Sequence, residues 1–247
     1  MKWLASSIRK AVAGIKNKNK KFWSFKALDE NTGELILYGE MSSSTWWGDE
    51  VTPKQFKEDL DALGDIETLN VYINSPGGDV FAGQTIYSML KRHKAQVNVY
   101  VDGVAASIAS LIAMAGDKII MPANAMMMIH SPWTIAMGNA QDFRKLADDM
   151  DKIRDSMIVA YESRSALTSE EIAEIMDAET WLSAEECLEY GFADEIAEAK
   201  QIAASMDEKY FAVYRNIPDE LKRPPDKEVN SSDKDLIKQK LLLELEL

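Results

Sequence analysis

A single cysteine, Cys187, is all the thiol chemistry this chain has, and His93 and His130 are its only imidazoles. One cysteine excludes an intrachain disulfide and any cysteine-rich metal site, and two histidines would need carboxylates to complete a zinc centre. A metal is therefore not expected. Seven prolines and twelve glycines in 247 residues are too few for a largely disordered chain. Long apolar runs are also missing. The run Ile108–Ala115 is interrupted by Ser110 and is too short to span a bilayer. The basic leader has its apolar stretches broken by Lys and Arg, unlike a secretory signal. A cytoplasmic location is the expectation.

Positive charge is scarce in the body. The formal charge is −13, yet residues 1–21 hold seven Lys or Arg and no acid, leaving about −20 on the rest. An acidic body lacks the concentrated positive charge that phosphate binding needs, so neither nucleic acid nor membrane is an expected partner. With 46% hydrophobic residues the chain can bury a full core. Three regions are expected: a basic arm over 1–21, a main domain over 22–199, and a partly irregular extension over 200–247 broken by Pro218, Pro224 and Pro225. Trp3, Leu4, Ile8, Val12 and Ile15 fall loosely on one helical face of the arm, and Leu236–Leu247 reads as a short helix needing a partner.

Between these ends, short apolar strands alternate with helices, the pattern of an α/β fold. Two strands flank a turn at Asn31-Thr32-Gly33, and Thr52-Pro53 opens a helix with a threonine cap and proline at its first position. Leu69–Ile73 reads as a strand, Val80–Arg92 as a helix, Val97–Val101 as a strand and Ala105–Ala115 as a helix. Lys118–Met121 and Met126–Ile129 are short strands. From Asn139, apolar residues recur every three or four positions (Phe143, Leu146, Met150, Ile153, Met157, Ile158, Tyr161), predicting a long helix to about Ser165. Further helices are expected from about Ser169 and over Ser183–Tyr190, the latter stopped by Gly191.

Three segments carry chemistry. Ser107 lies in Gly103-Val104-Ala105-Ala106-Ser107-Ile108, where a strand gives way to a helix. A serine hydroxyl becomes nucleophilic when a base takes its proton, and the Ile108 amide at the helix start lacks an intrahelical partner. Taken alone, the same serine suits a helix cap. Asn74-Ser75-Pro76-Gly77-Gly78-Asp79 is a second strand-to-helix turn, whose paired glycines can aim amides at an anionic oxygen or an extended peptide. Asp79 suits the cap of the next helix. His130 follows Met126–Ile129 and is placed to act as base at the end of a buried strand, whereas His93, in Lys91-Arg92-His93-Lys94, reads as an exposed helix end. An orienting acid is expected from Asp177-Ala178-Glu179, with Glu179 preferred and Asp177 next; spacing does not decide between them. A hydroxyl, a base and a backbone anion site together read as a serine hydrolase acting on peptide bonds, a mechanism that requires no organic cofactor.

These segments, with Trp181-Leu182-Ser183-Ala184-Glu185-Glu186 and Tyr190-Gly191-Phe192-Ala193-Asp194, resemble the Clp protease proteolytic-subunit family in order and spacing over roughly residues 30–198. The resemblance implies a crotonase-like α/β spiral of strand-helix units with a long protruding helix. It implies Ser107 as nucleophile, His130 as base, Glu179 at the family's aspartate position, and Gly77, Gly78 and Ile108 as oxyanion and substrate-backbone contacts. It also implies protein or peptide substrates and homo-oligomeric rings. Ile108 where methionine is usual, the basic leader and the long tail are most like the Clp-related head maturation proteases of tailed phages and prophages. That likeness implies ATP-independent cutting of capsid or scaffold precursors inside a prohead. The weighed alternatives are a housekeeping-type subunit working with an unfoldase, acyl-CoA chemistry on the same fold, and a noncatalytic oligomeric scaffold.

Overall fold

The computed structural model describes residues 21–41, 52–199 and 214–222. The expected helices in the basic arm and over Leu236–Leu247 lie outside the described residues. A hairpin of β1 (Trp23–Ala27) and β2 (Thr32–Tyr38) opens the fold. Its turn falls at Leu28–Asn31, not at Asn31–Gly33, because the Asp29 carboxylate accepts the Asn31 amide and Thr32 already pairs with Thr68.

Next come α1 (Pro53–Asp61), β3 (Thr68–Ser75), α2 (Val80–Lys91), β4 (Gln96–Ala106), α3 (Ile108–Ala113), β5 (Lys118–Pro122) and β6 (Met126–Ile129). The chain continues through α4 (Ala140–Glu162), α5 (Ser169–Asp177), β7 (Thr180–Ser183), α6 (Ala184–Tyr190), β8 (Glu195–Ala197) and α7 (Asp219–Lys222). The helix starts follow their caps. Thr52 and Gln55 form a reciprocal capping box, as do Thr168 with Glu171 and Ser183 with Glu186, while the Asp79 carboxylate accepts the Ala82 amide.

The eight strands form one sheet in the order β1-β2-β3-β4-β5-β8, with β6 joining β4 and β7 joining β6. From β2 to β8 the path is parallel. This is the mixed α/β architecture the strand-helix alternation implies. Leu69, Val71 and Ile73 alternate into the core, while Tyr72 stacks on Tyr100 on the opposite face at 4.9 Å between ring centroids.

β4 carries the feature that makes the site. Its first half pairs with β5 (Asn98 to Tyr100) and its last three residues pair with β6 (Val104↔Met126 to Ala106↔Met128). Changing neighbours along one strand brings together the carboxyl ends of β3, β4 and β6, the usual place for a site in an open α/β sheet. It also corrects the helix expected over Ala105–Ala115. Ala105 and Ala106 stay extended because β6 supplies ladder partners, overriding alanine's helix preference, and helix begins only at Ile108.

The long helix α4 runs for 23 residues, roughly 35 Å. Its C-terminal half buries Met157, Ile158, Ala160 and Tyr161, whereas Phe143 near its start is exposed. The loop before it exposes Trp133, Ile135 and Met137. Among the described residues, no helix is long and apolar enough to cross a membrane. None of their His, Cys, Asp and Glu side chains gather in threes to hold a metal ion.

Candidate active site

Ser107 sits between β4 and α3 with φ 57° and ψ −129°, a conformation L-residues rarely adopt. Such strain costs about 1–3 kcal/mol and persists only where the surroundings over-determine it. Here they do. The Ser107 amide donates to the Met128 carbonyl at 2.9 Å, and the Ser107 carbonyl accepts the Ser110 amide at 3.0 Å and the Ser110 hydroxyl at 2.6 Å. Ser110, fully buried, also meets Met128 O and the Tyr161 hydroxyl. The pinned turn delivers Ser107 Oγ to His130 Nε2 at 2.7 Å.

His130 follows β6 directly, so the β4–β6 pairing sets the distance between hydroxyl and imidazole. Both residues are 7% exposed. Burial lowers the His130 pKa below its ordinary value, opposed by the nearby negative charge of Glu179. The imidazole is therefore neutral at neutral pH and able to accept a proton. His93, expected to be exposed, is instead half-buried, with its Nδ1 accepting the Ala95 amide at 3.2 Å.

The glycine turn lies against the same serine. Gly77 has φ +97°, and a Cβ there would stand 2.7 Å from both Ala106 O and Ser107 Cβ, so no other residue allows this approach. The fully buried Ser75 shapes the turn: its hydroxyl donates to Gly39 O at 2.6 Å and accepts the Gly77 amide at 3.1 Å. The Gly77 carbonyl and the Asp79 amide pair with Met41. The Gly77 amide is thus occupied, whereas the amides of Gly78 and Ile108 find no acceptor among the described residues. Two unpaired donors beside a base-linked hydroxyl suit an oxyanion formed by attack on a carbonyl.

The two candidate acids part company. Asp177 accepts the Ser131 hydroxyl at 2.6 Å and faces Arg154 at 3.4 Å, so it belongs to a surface ion pair. Glu179 is the acid whose charge reaches His130, but among the described residues its hydrogen bonds go elsewhere. Its Oε1 accepts the backbone amides of Arg215 at 2.5 Å and Asn216 at 2.8 Å. Glu179 has φ 52°, a second strained position, at the junction of α5 and β7.

Sequence reasoning did not find Ser75, Ser110, Tyr161 or the Tyr214–Leu221 segment. Tyr214 donates to the Pro76 carbonyl and meets the His130 ring edge-on at 5.5 Å. Ile217 and Leu221 bury against Val104, Ala106 and Met128. The one available signal was the apolar spacing Tyr214, Ile217, Leu221 within an otherwise polar stretch.

Comparison with known proteins identifies the family. The Clp protease family model matches residues 54–200. The ATP-dependent Clp protease proteolytic subunit of Deinococcus radiodurans is 34% identical over 140 residues, covering 56% of this chain and 68% of the relative. That of Leuconostoc citreum is 38% identical over 142 residues, covering 56% and 70%. One from Bacteroides fragilis is 32% identical over 139 residues, covering 56% and 67%. With the model matched across more than half of its length, the chain belongs to the Clp protease family of serine peptidases.

Proposed function

We propose that the protein is a serine endopeptidase in which Ser107 is the nucleophile, His130 the general base and Glu179 the orienting acid. The observation that carries this reading is the 2.7 Å contact between Ser107 Oγ and His130 Nε2 on a strained turn beside the Gly78 and Ile108 amides, which lack acceptors among the described residues. Ser107 Oγ attacks the scissile carbonyl as His130 Nε2 takes its proton. The Gly78 and Ile108 amides receive the resulting oxyanion, and losing one such donor typically costs about 2.7–4 kcal/mol of transition-state stabilisation. His130 gives the proton to the leaving amine, releasing it and leaving Ser107 acylated. It then takes a proton from water, whose oxygen attacks the ester carbonyl, and returns it to Ser107 Oγ as the acid product leaves. No step calls for a metal, a cofactor or nucleotide.

The biological role we propose is processing of capsid or scaffold precursors during phage head maturation, within an assembling prohead in a host cytoplasm. Ile108 after the nucleophile, the basic leader of residues 1–21 and the long tail beyond Ala199 support this subtype. Homo-oligomeric rings are part of the proposal, supported by the apolar Trp133, Ile135, Met137 and Phe143 exposed around the start of α4. A housekeeping subunit serving an unfoldase is the second reading, favoured by the names of the curated relatives, which are ATP-dependent.

A fluorophosphonate probe tests the chemistry. Wild type is expected to label at Ser107, and Ser107→Ala to lose the label; labelling that survives this substitution sinks the assignment. Co-expression with a capsid precursor tests the role. Shortening of the precursor by wild type alone, without added ATP or unfoldase, is expected. Cleavage seen only with an unfoldase and ATP selects the second reading.

A further inference from the structure

We propose that the tail segment Tyr214–Leu221 positions the catalytic acid in cis, its backbone amides holding Glu179 so that turnover depends on this segment being docked. The inference rests on the serine-peptidase reading above and extends it to residues outside the region matched by the family model, which ends at residue 200.

The tail grips Glu179 by both side chain and backbone. The Arg215 and Asn216 amides donate to Glu179 Oε1, at 2.5 and 2.8 Å. The Asn216 side-chain amide donates to Ala178 O at 2.9 Å and Glu179 O at 3.3 Å. Glu179 itself sits at φ 52°, which a non-glycine residue holds only when its neighbours enforce it. Asn216 supplies that enforcement. Both amides take the same oxygen, so among the described residues Oε2 keeps its lone pairs for another donor, such as an imidazole N–H.

The same segment touches the other two parts of the site. Tyr214 packs edge-on against the His130 ring at 5.5 Å and against Trp181 at 6.1 Å, and its hydroxyl donates to Pro76 O at the root of the glycine turn. One tyrosine thus spans the imidazole and the turn that carries the Gly78 amide. Ile217 and Leu221, 5% and 4% exposed, anchor the segment on Val104, Ala106 and Met128 behind the serine.

An inhibitory plug would leave a different picture. With this segment docked, the Ser107–His130 bond is intact and the Gly78 and Ile108 amides find no acceptor among the described residues. The tail holds the rim of the site and leaves its reacting atoms alone. A glutamate side chain has several rotatable bonds, and two fixed donors on one oxygen remove that freedom.

The test uses the full chain. Asn216→Pro removes one amide donor and the side-chain grip, while Asn216→Ala removes the side-chain grip alone. Asn216→Pro is expected to lower kcat for a fluorogenic peptide by about tenfold, the effect of one charge-assisted hydrogen bond, with KM little changed. Asn216→Ala is expected to fall between the two. In a Glu179→Gln background, Asn216→Pro should add little further loss, because positioning without the charged acid has nothing to position. A merely structural role would cost the same in both backgrounds. Ile217→Ala/Leu221→Ala loosens the anchor without removing a donor, and it carries the test where a thermal melt shows Asn216→Pro unfolded. Unchanged or faster turnover in the folded variants overturns the inference, and faster turnover identifies a plug. Wild type that fails to label with fluorophosphonate at Ser107 instead defeats the peptidase reading itself.

Discussion

Gly83 in α2 offers a sharp test of how packing sets the oxyanion donor. A Cβ at Gly83 would lie 2.1 Å from Ile108 Cγ1, against an ordinary carbon contact of about 3.5–4.0 Å. Ile108 is fully buried and its amide is one of the two proposed oxyanion donors, so it cannot yield without moving the turn. Gly83→Ala should gain about 0.5–1 kcal/mol of helix propensity but lose about 1–3 kcal/mol to overpacking, a net loss near 1–2 kcal/mol. Ile108→Ala alone should cost about 2–5 kcal/mol through the cavity it leaves. It also removes Cγ1 and Cδ1, leaving only Cβ at 3.2 Å from the new methyl. In that background Gly83→Ala should become neutral or stabilising, a coupling of at least about 1 kcal/mol. Urea unfolding followed by tryptophan fluorescence reads the energies, and the fluorophosphonate labelling rate at Ser107 reads the site. Labelling should slow in Gly83→Ala. An equal cost in both backgrounds, or a destabilised protein labelling at the wild-type rate, refutes the reasoning.

Two further outcomes are expected. The His130 pKa lies below its ordinary 6.5, so kcat/KM should climb with pH through a value under 6.5 and level off by neutrality; Glu179→Gln should move this limb lower, since the Glu179 charge raises the pKa. The native state favours neutral imidazole, so its stability contribution is complete above 6.5 and disappears as pH falls through the lower native value; an acid limb above 6.5 would contradict both statements. Cys187 is fully buried and its thiol is pushed up to about 12 by that burial, so a maleimide should leave the native protein unmodified and label one site in urea.

Much of the fold is legible along the chain because its signals are local. Thr52-Pro53, Asp79 and Thr168 start helices where their side chains reach amides three residues on, and Gly191 ends one at φ +82°. The proposed nucleophile and base are legible for a related reason: small residues at a strand-helix junction and a lone histidine after an apolar strand are features of composition. The boundary at Ala105 and Ala106 is not local. Whether two alanines extend or coil depends on Met127 and Met128 of β6 lying beside them, 22 residues further along.

The acid shows the same division more sharply. Asp177 and Glu179 stand two positions apart around the end of α5, and nothing in their spacing says that one turns to Arg154 and Ser131 while the other is held by the tail, its charge felt at His130. The chain by itself determined the alternation of strands and helices, the hydroxyl, the imidazole and the glycine turn, because caps, periodicity and residue chemistry act over a few positions. Only the tertiary structure decided which glycine amide lacks an acceptor among the described residues, which carboxylate the tail amides hold, and that Tyr214 packs against His130 and Pro76. Each of those depends on a hydrogen bond or a contact between residues far apart in sequence, and such pairings exist only once the sheet has brought them together.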